Sequence, residues 1–297
     1  DAQLEQKRLE VAAEQVLEQA KKLGAEQVDF GAGSSQGLNV TVRNGQCEVL
    51  EYQKDRSLGV TLWVNGQKGS ASSSDLSAKS LSACVQAAIN IAKHTQPDPY
   101  SGLAEPELLA QQTPDLSLDH AWDLDSDQAI ELARAVEEAA VEVPGIVNSE
   151  GGDVSTRRSV RVHYNSHGLQ ASGQSSQHSL SAVVLAQDDQ GMQRDYAYDS
   201  RRNPAQLQTA QQIGQEAAER TLARMNAGSV ATGQYPVVFD PRMSQGLIGT
   251  LSGALNGNSI WRQSSWAMEL MGQSLLHEWA SLQVRPLLMG ANGSAGI

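Results

Sequence analysis

With 297 residues, 40% of them hydrophobic and 19% charged, the chain is long enough for one large or two ordinary domains and too apolar to be disordered. A net charge of −12, from 34 acidic against 22 basic residues, sets up a field that repels phosphate backbones, so nucleic acid is excluded as the expected partner. No stretch reaches the ~18 apolar residues that cross a bilayer, and the N-terminus carries no signal-peptide pattern.

Cys47 and Cys84 lack the close spacing of a metal knuckle or a redox pair. A reducing, cytoplasmic setting is therefore expected, with no membrane contact. The chain opens at Asp1 rather than Met, so further upstream residues are expected.

Residues 4–23 place Leu9, Ala12, Ala13, Val16, Leu17, Ala20 and Leu23 on one helical face, with Gly24 where a C-cap belongs. The period then changes to two. Alternating apolar residues precede Asn44-Gly45 and again Asn65-Gly66, pairs that accept positive φ and signal hairpins. A helix near residues 75–93 uses Cys84, Val85, Ala88, Ile89 and Ala92 as its apolar side.

Residues 95–125 concentrate Pro, Asp and Ser and read as a surface connector. A helix follows, capped by Ser126 and stopped by Pro144-Gly145. The next segments repeat the earlier order, ending in a helix over 204–226. The predicted fold is therefore α+β: a helix, a four-stranded antiparallel meander and a helix, occurring twice through internal duplication. The expected parts are 1–125, 126–232 and 233–297. In the last, "YPVVFDP" reads as a short buried strand, "SQGLIGTLSGALNGNSIW" as a Gly-rich, closely packed segment, and "LLMGANGSAGI" as an interrupted tail.

Few residues suggest chemistry. His277-Glu278 begins like a zinc peptidase helix, but positions 281 and 282 are Ser and Leu, so the second imidazole is missing and a solvent-facing helix end is expected. His163, His167 and His178 could form a three-histidine site, yet exposed hairpin histidines without an accompanying carboxylate ordinarily carry no chemistry. His94 and His120 carry no pattern. Ser70, Ser72, Ser73, Ser74 and Ser176 lack the strand–elbow–helix context of a nucleophile, and "GQKGSAS" lacks P-loop spacing. Arg157-Arg158 with Arg161, and Arg201-Arg202, read as solvated strand or turn residues.

Three stretches carry a resemblance across essentially the whole chain: "LGAEQVDF", "VRNGQCEVLEYQKDRSLGVTLWVNGQKGSASSSDLS" and "YPVVFDPRMSQGLIGTLSGALNGNSIWRQSS". They resemble the PmbA/TldD family, also called modulators of DNA gyrase, and within it the PmbA (TldE) branch. The resemblance implies a cytoplasmic two-subunit metallopeptidase that trims peptide precursors and degrades an unfolded antitoxin. In it a TldD-type chain carries a His-Glu-x-x-x-His zinc motif.

Laid on this sequence, that motif falls on Ser252, Gly253 and Gly257, which offer neither imidazole nor carboxylate. No catalytic residue, no metal and no cofactor are therefore expected here, the zinc residing on a TldD-like partner that acts with this chain on unfolded peptides. A homodimer is the assembly expected in isolation. The resemblance also implies a β-rich C-terminal domain of which 233–297 is the start. Two alternatives stay open: a self-sufficient metallopeptidase built on His163, His167, His178 or His277, and a non-enzymatic modulator of gyrase or of a toxin–antitoxin system.

Overall fold

A computed structural model describes residues 2–110 and 114–294. Two compact units make up the chain: residues 1–227 with 285–297, and residues 228–284.

In the first unit the chain runs through α1 (Ala2–Lys22), β1 (Gln27–Arg43), β2 (Gln46–Val64), β3 (Gln67–Ser73) and α2 (Ala78–Ala92). It then repeats that order with α3 (Ser126–Val141), β4 (Ile146–Asn165), β5 (Gln170–Asp188), β6 (Gly191–Arg201) and α4 (Ala210–Ala223). Each meander has three strands, not four. The short strands expected from the alternation fuse into strands of up to 20 residues because no Pro or turn pair interrupts them.

Both Asn-Gly pairs make the turns their chemistry favours. Asn44 and Gly45 take φ of 51° and 71°, and Asn65 and Gly66 take 52° and 71°, the doubly positive pattern of a two-residue hairpin. Gly24, at φ 90°, ends α1 as anticipated. The cap of α3 lies one residue earlier than expected. Asp125 accepts from the Gln128 amide, and the Gln128 side chain accepts from the Asp125 N–H, a reciprocal box that Ser126 could not close.

The six strands form one antiparallel sheet in the order β3-β2-β1-β4-β5-β6. A 20-residue strand spans about 66 Å, roughly three times the length of a helix of fifteen residues. Two helix pairs therefore sit on the same sheet face. Val28, Phe30 and Ala32 of β1 join a core with α1, α2 and β2, while Val40 and Val42 join a second core with α3, β4 and β5.

With only 4% aromatics, both cores are built of Ala, Val and Leu, and the helices lie close to the strands. A Cβ on Gly69 would stand 2.0 Å from the Ala88 carbonyl oxygen of α2, and one on Gly152 would stand 2.3 Å from that of Ala133 in α3. The buried Glu137 of α3 accepts the amides of Asn44 (2.8 Å) and Gly45 (3.0 Å), tying the second half to the first hairpin.

Between the two cores the inward face of the sheet turns polar. Gln36, Arg158 and Ser176 stand in one row, Leu38, Thr156 and His178 in the next. The expected surface connector is partly built into the fold: Ala121, Trp122, Asp123 and Leu124 lie beside this belt, Leu116 is buried, and Asp119 binds Arg158 Nε through both carboxylate oxygens (2.7 and 3.0 Å).

His178 is only 1% exposed. One ring nitrogen, Nε2, meets the His120 carbonyl at 2.8 Å and the other, Nδ1, meets the Thr156 hydroxyl at 2.8 Å. A carbonyl only accepts, so Nε2 carries the proton and Nδ1 accepts from Thr156, giving a neutral ring whose pKa burial pushes down. Trp122 stacks edge-on against it at 5.4 Å.

Residues 228–284 hold α5 (Pro241–Ala254) and α6 (Gly257–Trp261), with no strand among the described residues. "YPVVFDP" forms no strand, its last residue opening α5, and Val238 is 97% exposed, contrary to the buried strand expected. A lone strand cannot satisfy its backbone groups, and no other strand is described in this unit to complete a ladder.

Two measurements test this packing. Glu137→Ala should lower the unfolding free energy by about 2–4 kcal/mol in urea, since it leaves two turn amides without their charged acceptor. Its exposed neighbour substituted as Glu138→Ala should change little. Equal effects would show that the clasp contributes nothing. His178 takes up its proton more readily unfolded than folded, so its stabilising effect is present above about pH 6.5 and lost as pH falls below that value. The stability gap between wild type and His178→Gln should accordingly narrow between pH 7.5 and 5.5; a gap that widens would refute the neutral ring.

Candidate functional site

The residues on which the resemblance lays the zinc motif are in the 228–284 unit. Ser252 and Gly253 are in the last turn of α5, the helix breaks at Leu255 and Asn256, and Gly257 opens α6 under the Asn256 cap. All three are exposed. A Cβ on Gly253 or Gly257 would meet no heavy atom within 4 Å, so packing does not demand these glycines. Larger side chains have room there; what is missing is donor chemistry. A zinc site needs imidazole, thiolate or carboxylate ligands, and a serine hydroxyl beside two glycines does not fit that need.

His277 is the sole histidine between residues 228 and 284. The helix expected around it is absent: residues 277–279 form a single exposed turn closed by the Ala280 N–H donating to the His277 carbonyl (2.8 Å), with the His277 and Trp279 rings 5.4 Å apart. Leu276, Trp279 and Leu282 are exposed, so a helix there would have no face to bury, and short unpacked helices are unstable.

The other histidines do not converge either. His163 pairs with Asp29 at 2.7 Å, an accompanying carboxylate that sequence reading missed because β1 and β4 lie far apart in the chain. That bond raises the His163 pKa. His167 holds the Ala104 carbonyl from a turn, and His178 is buried in the polar belt. Among the described residues no three His, Cys, Asp or Glu side chains are grouped to hold a metal ion.

Ser176 is no nucleophile. Its hydroxyl donates to the Arg202 carbonyl (2.8 Å) and accepts from the His120 amide (2.8 Å), with no imidazole as base. Cys84 is buried, which pushes its thiol pKa up, while Cys47 is free and exposed on β2.

A cavity of about 810 Å³ lies in the first unit. Its floor is the sheet face turned away from the helices. Ser35, Ser159 and Ser175 stand side by side across β1, β4 and β5. On one side of this row Arg161 rises between Gly33 and Gly173, and on the other Arg157 faces Gln177.

Arg202 closes one wall, giving its guanidinium to the carbonyls of Ser176, Asn292 and Ser294 (3.1, 2.7 and 3.2 Å). Burial, and then the nearby charge of Arg161, lower its pKa. The arginines read as solvated thus divide: Arg158 and Arg202 are structural, Arg157 and Arg161 face open space.

Family models match along the chain in order: the PmbA/TldA metallopeptidase domain 1 over residues 28–92, the central domain over 119–225 and the C-terminal domain over 232–297. The chain is 39% identical over 288 residues to the metalloprotease PmbA of Escherichia coli O157:H7, covering 96% of this chain and 63% of that protein. It is 36% identical over 286 residues to the PmbA homolog of Haemophilus influenzae, covering 94% and 63%. The chain thus spans less than two thirds of the length of these curated relatives.

Among solved structures, a candidate modulator of DNA gyrase from Bacteroides thetaiotaomicron superposes with a TM-score of 0.89 at 26% identity, over 96% of this chain and 65% of that one. TldE from Thermococcus kodakarensis shares the fold, with a TM-score of 0.58 at 16% identity over 71% of this chain and 47% of that one. The α+β sheet and the sequence matches agree: the chain belongs to the PmbA/TldD family, on its PmbA (TldE) branch.

Proposed function

We propose that this chain is the zinc-free partner subunit of a TldD/TldE-type metallopeptidase. In this reading a TldD-type chain with a His-Glu-x-x-x-His motif supplies the metal, and the present chain shapes the complex and helps to hold unfolded peptides. The observation that carries the reading is the donor set at Ser252, Gly253 and Gly257, which holds no metal ligand although side chains at the two glycines would meet open space. No step of hydrolysis runs through these residues.

Two further features support it. The 228–284 unit exposes large apolar side chains, among them Trp261 and Trp279 at 81% each, the kind of surface other protein covers. No described helix is long and apolar enough to cross a membrane, which is compatible with the cytoplasmic setting inferred from the two free thiols. Within the subunit we divide the chain as 1–125, 126–232 and 233–297, the last opening a further domain, and we place its homodimer as the resting assembly.

Affinity isolation of the protein from its host tests the reading. A chain bearing His-Glu-x-x-x-His should come with it, and hydrolysis of an unstructured peptide should require both chains and cease with a zinc chelator. Peptidase activity of the isolated protein would overturn the proposal, as would co-isolation with gyrase or a toxin-system protein in place of that chain.

A further inference from the structure

In a protein of net charge −12, most arginines find a carboxylate: Arg56 holds Glu5 at 2.6 and 2.9 Å, Arg158 holds Asp119 and Arg194 holds Glu150. Arg157 and Arg161 do not. Among the described residues neither forms an ion pair, and Arg157 has only the Ser35 hydroxyl at 2.7 Å. Both are exposed and stand four residues apart on β4, about 13 Å along the strand, facing the same cavity.

Between them the half-buried hydroxyls of Ser159 and Ser175 have no protein partner among the described residues. At the wall, the Ser294 hydroxyl is buried and likewise unpartnered among them. Unused hydrogen-bonding groups on a floor, with unpaired guanidinium groups at either end, are what a ligand would complete.

Three features choose the ligand. Guanidinium groups match carboxylates in a planar, two-bond geometry. Hydroxyls both donate and accept, as a peptide backbone requires, whereas a phosphate needs donors alone. The rim also carries Asp55 and Asp115, neither in an ion pair among the described residues, which repel a dense polyanion and tolerate a chain of mixed charge. The volume lies in the upper part of the ~300–1,000 Å³ range of ligand sites, enough for a few extended residues.

We infer that this cavity is a docking site for an extended peptide segment bearing a carboxylate, which Arg161 or Arg157 takes while the backbone lies on the row formed by Ser35, Ser159 and Ser175. The choice of a peptide rests on the peptidase-complex reading; the site belongs to this chain alone.

Binding of short Gly/Ser peptides carrying a neutral fluorophore, followed by anisotropy at low ionic strength with no partner chain present, tests it. A glutamate-containing, C-terminally amidated peptide should bind, its glutamine counterpart about tenfold more weakly. A glutamine peptide with a free C-terminus then shows whether the terminal carboxylate serves as well as a side chain. The double variant Arg157→Gln/Arg161→Gln should lose about tenfold in affinity with an unchanged melting temperature, and Ser159→Ala should lose less.

Equal binding of the glutamate and glutamine peptides, or wild-type binding by the double variant, would overturn the inference. So would inorganic phosphate binding more tightly than any peptide, which would mark a simple anion site. A dimer that the double variant dissociates would instead assign the cavity to a second copy of the chain and overturn it. Because no partner takes part, these failures leave the zinc-free partner reading standing, and a failed isolation of that partner leaves the cavity's peptide binding to be read directly.

Discussion

Two three-stranded meanders become one sheet because β1 and β4, the first strand of each half, pair from Asp29↔Asn165 to Val42↔Gly152. That long pairing sets the rest of the unit. It places both helix pairs on one face, leaves the opposite face open, and brings Ser35 beside Ser159 and Asp29 beside His163. Its length also creates a problem, because two helix pairs leave the middle of the covered face without an apolar partner. Polar residues at Arg158, Ser176 and His178 answer it by bonding the connector, so the segment between the halves becomes part of the structure.

Period-two alternation makes adjacent residues do unlike work, and Arg157-Arg158 is the clearest case. Arg158 points toward the helices and is fixed by Asp119, while Arg157 points the other way into an open cavity. The same parity separates the small, hydroxyl-rich outer face from the Ala- and Val-rich inner one. Close helix packing through Gly69 and Gly152 and an uncovered polar face are thus two results of one strand geometry.

Much of this was legible from local chemistry. The Asn-Gly turns, the face of α1 and the breaking of periodicity near residue 95 follow from backbone preferences acting over a few residues. The features that were not legible depend on what lies opposite. Strand number was overestimated because nothing local marks where one long strand replaces two short ones. His178 looked exposed because its partners, Thr156 and the His120 carbonyl, come from elsewhere in the chain. "YPVVFDP" and the segment around His277 have the composition of regular elements but no partner surface in the described unit, and composition cannot supply one. The residues lining the cavity were visible only as scattered serines and arginines, since the register of β1, β4 and β5 is what assembles them.

The central claim concerns donor atoms. Ser252, Gly253 and Gly257 offer none of the groups that make a zinc site although a side chain at either glycine would meet open space, and no cluster of three such groups is found among the described residues. Calorimetric titration of the metal-free protein with zinc puts this to the most direct test. The account predicts no saturable site; a one-to-one site of sub-micromolar affinity, abolished by substitution of one of its own histidines, would contradict it.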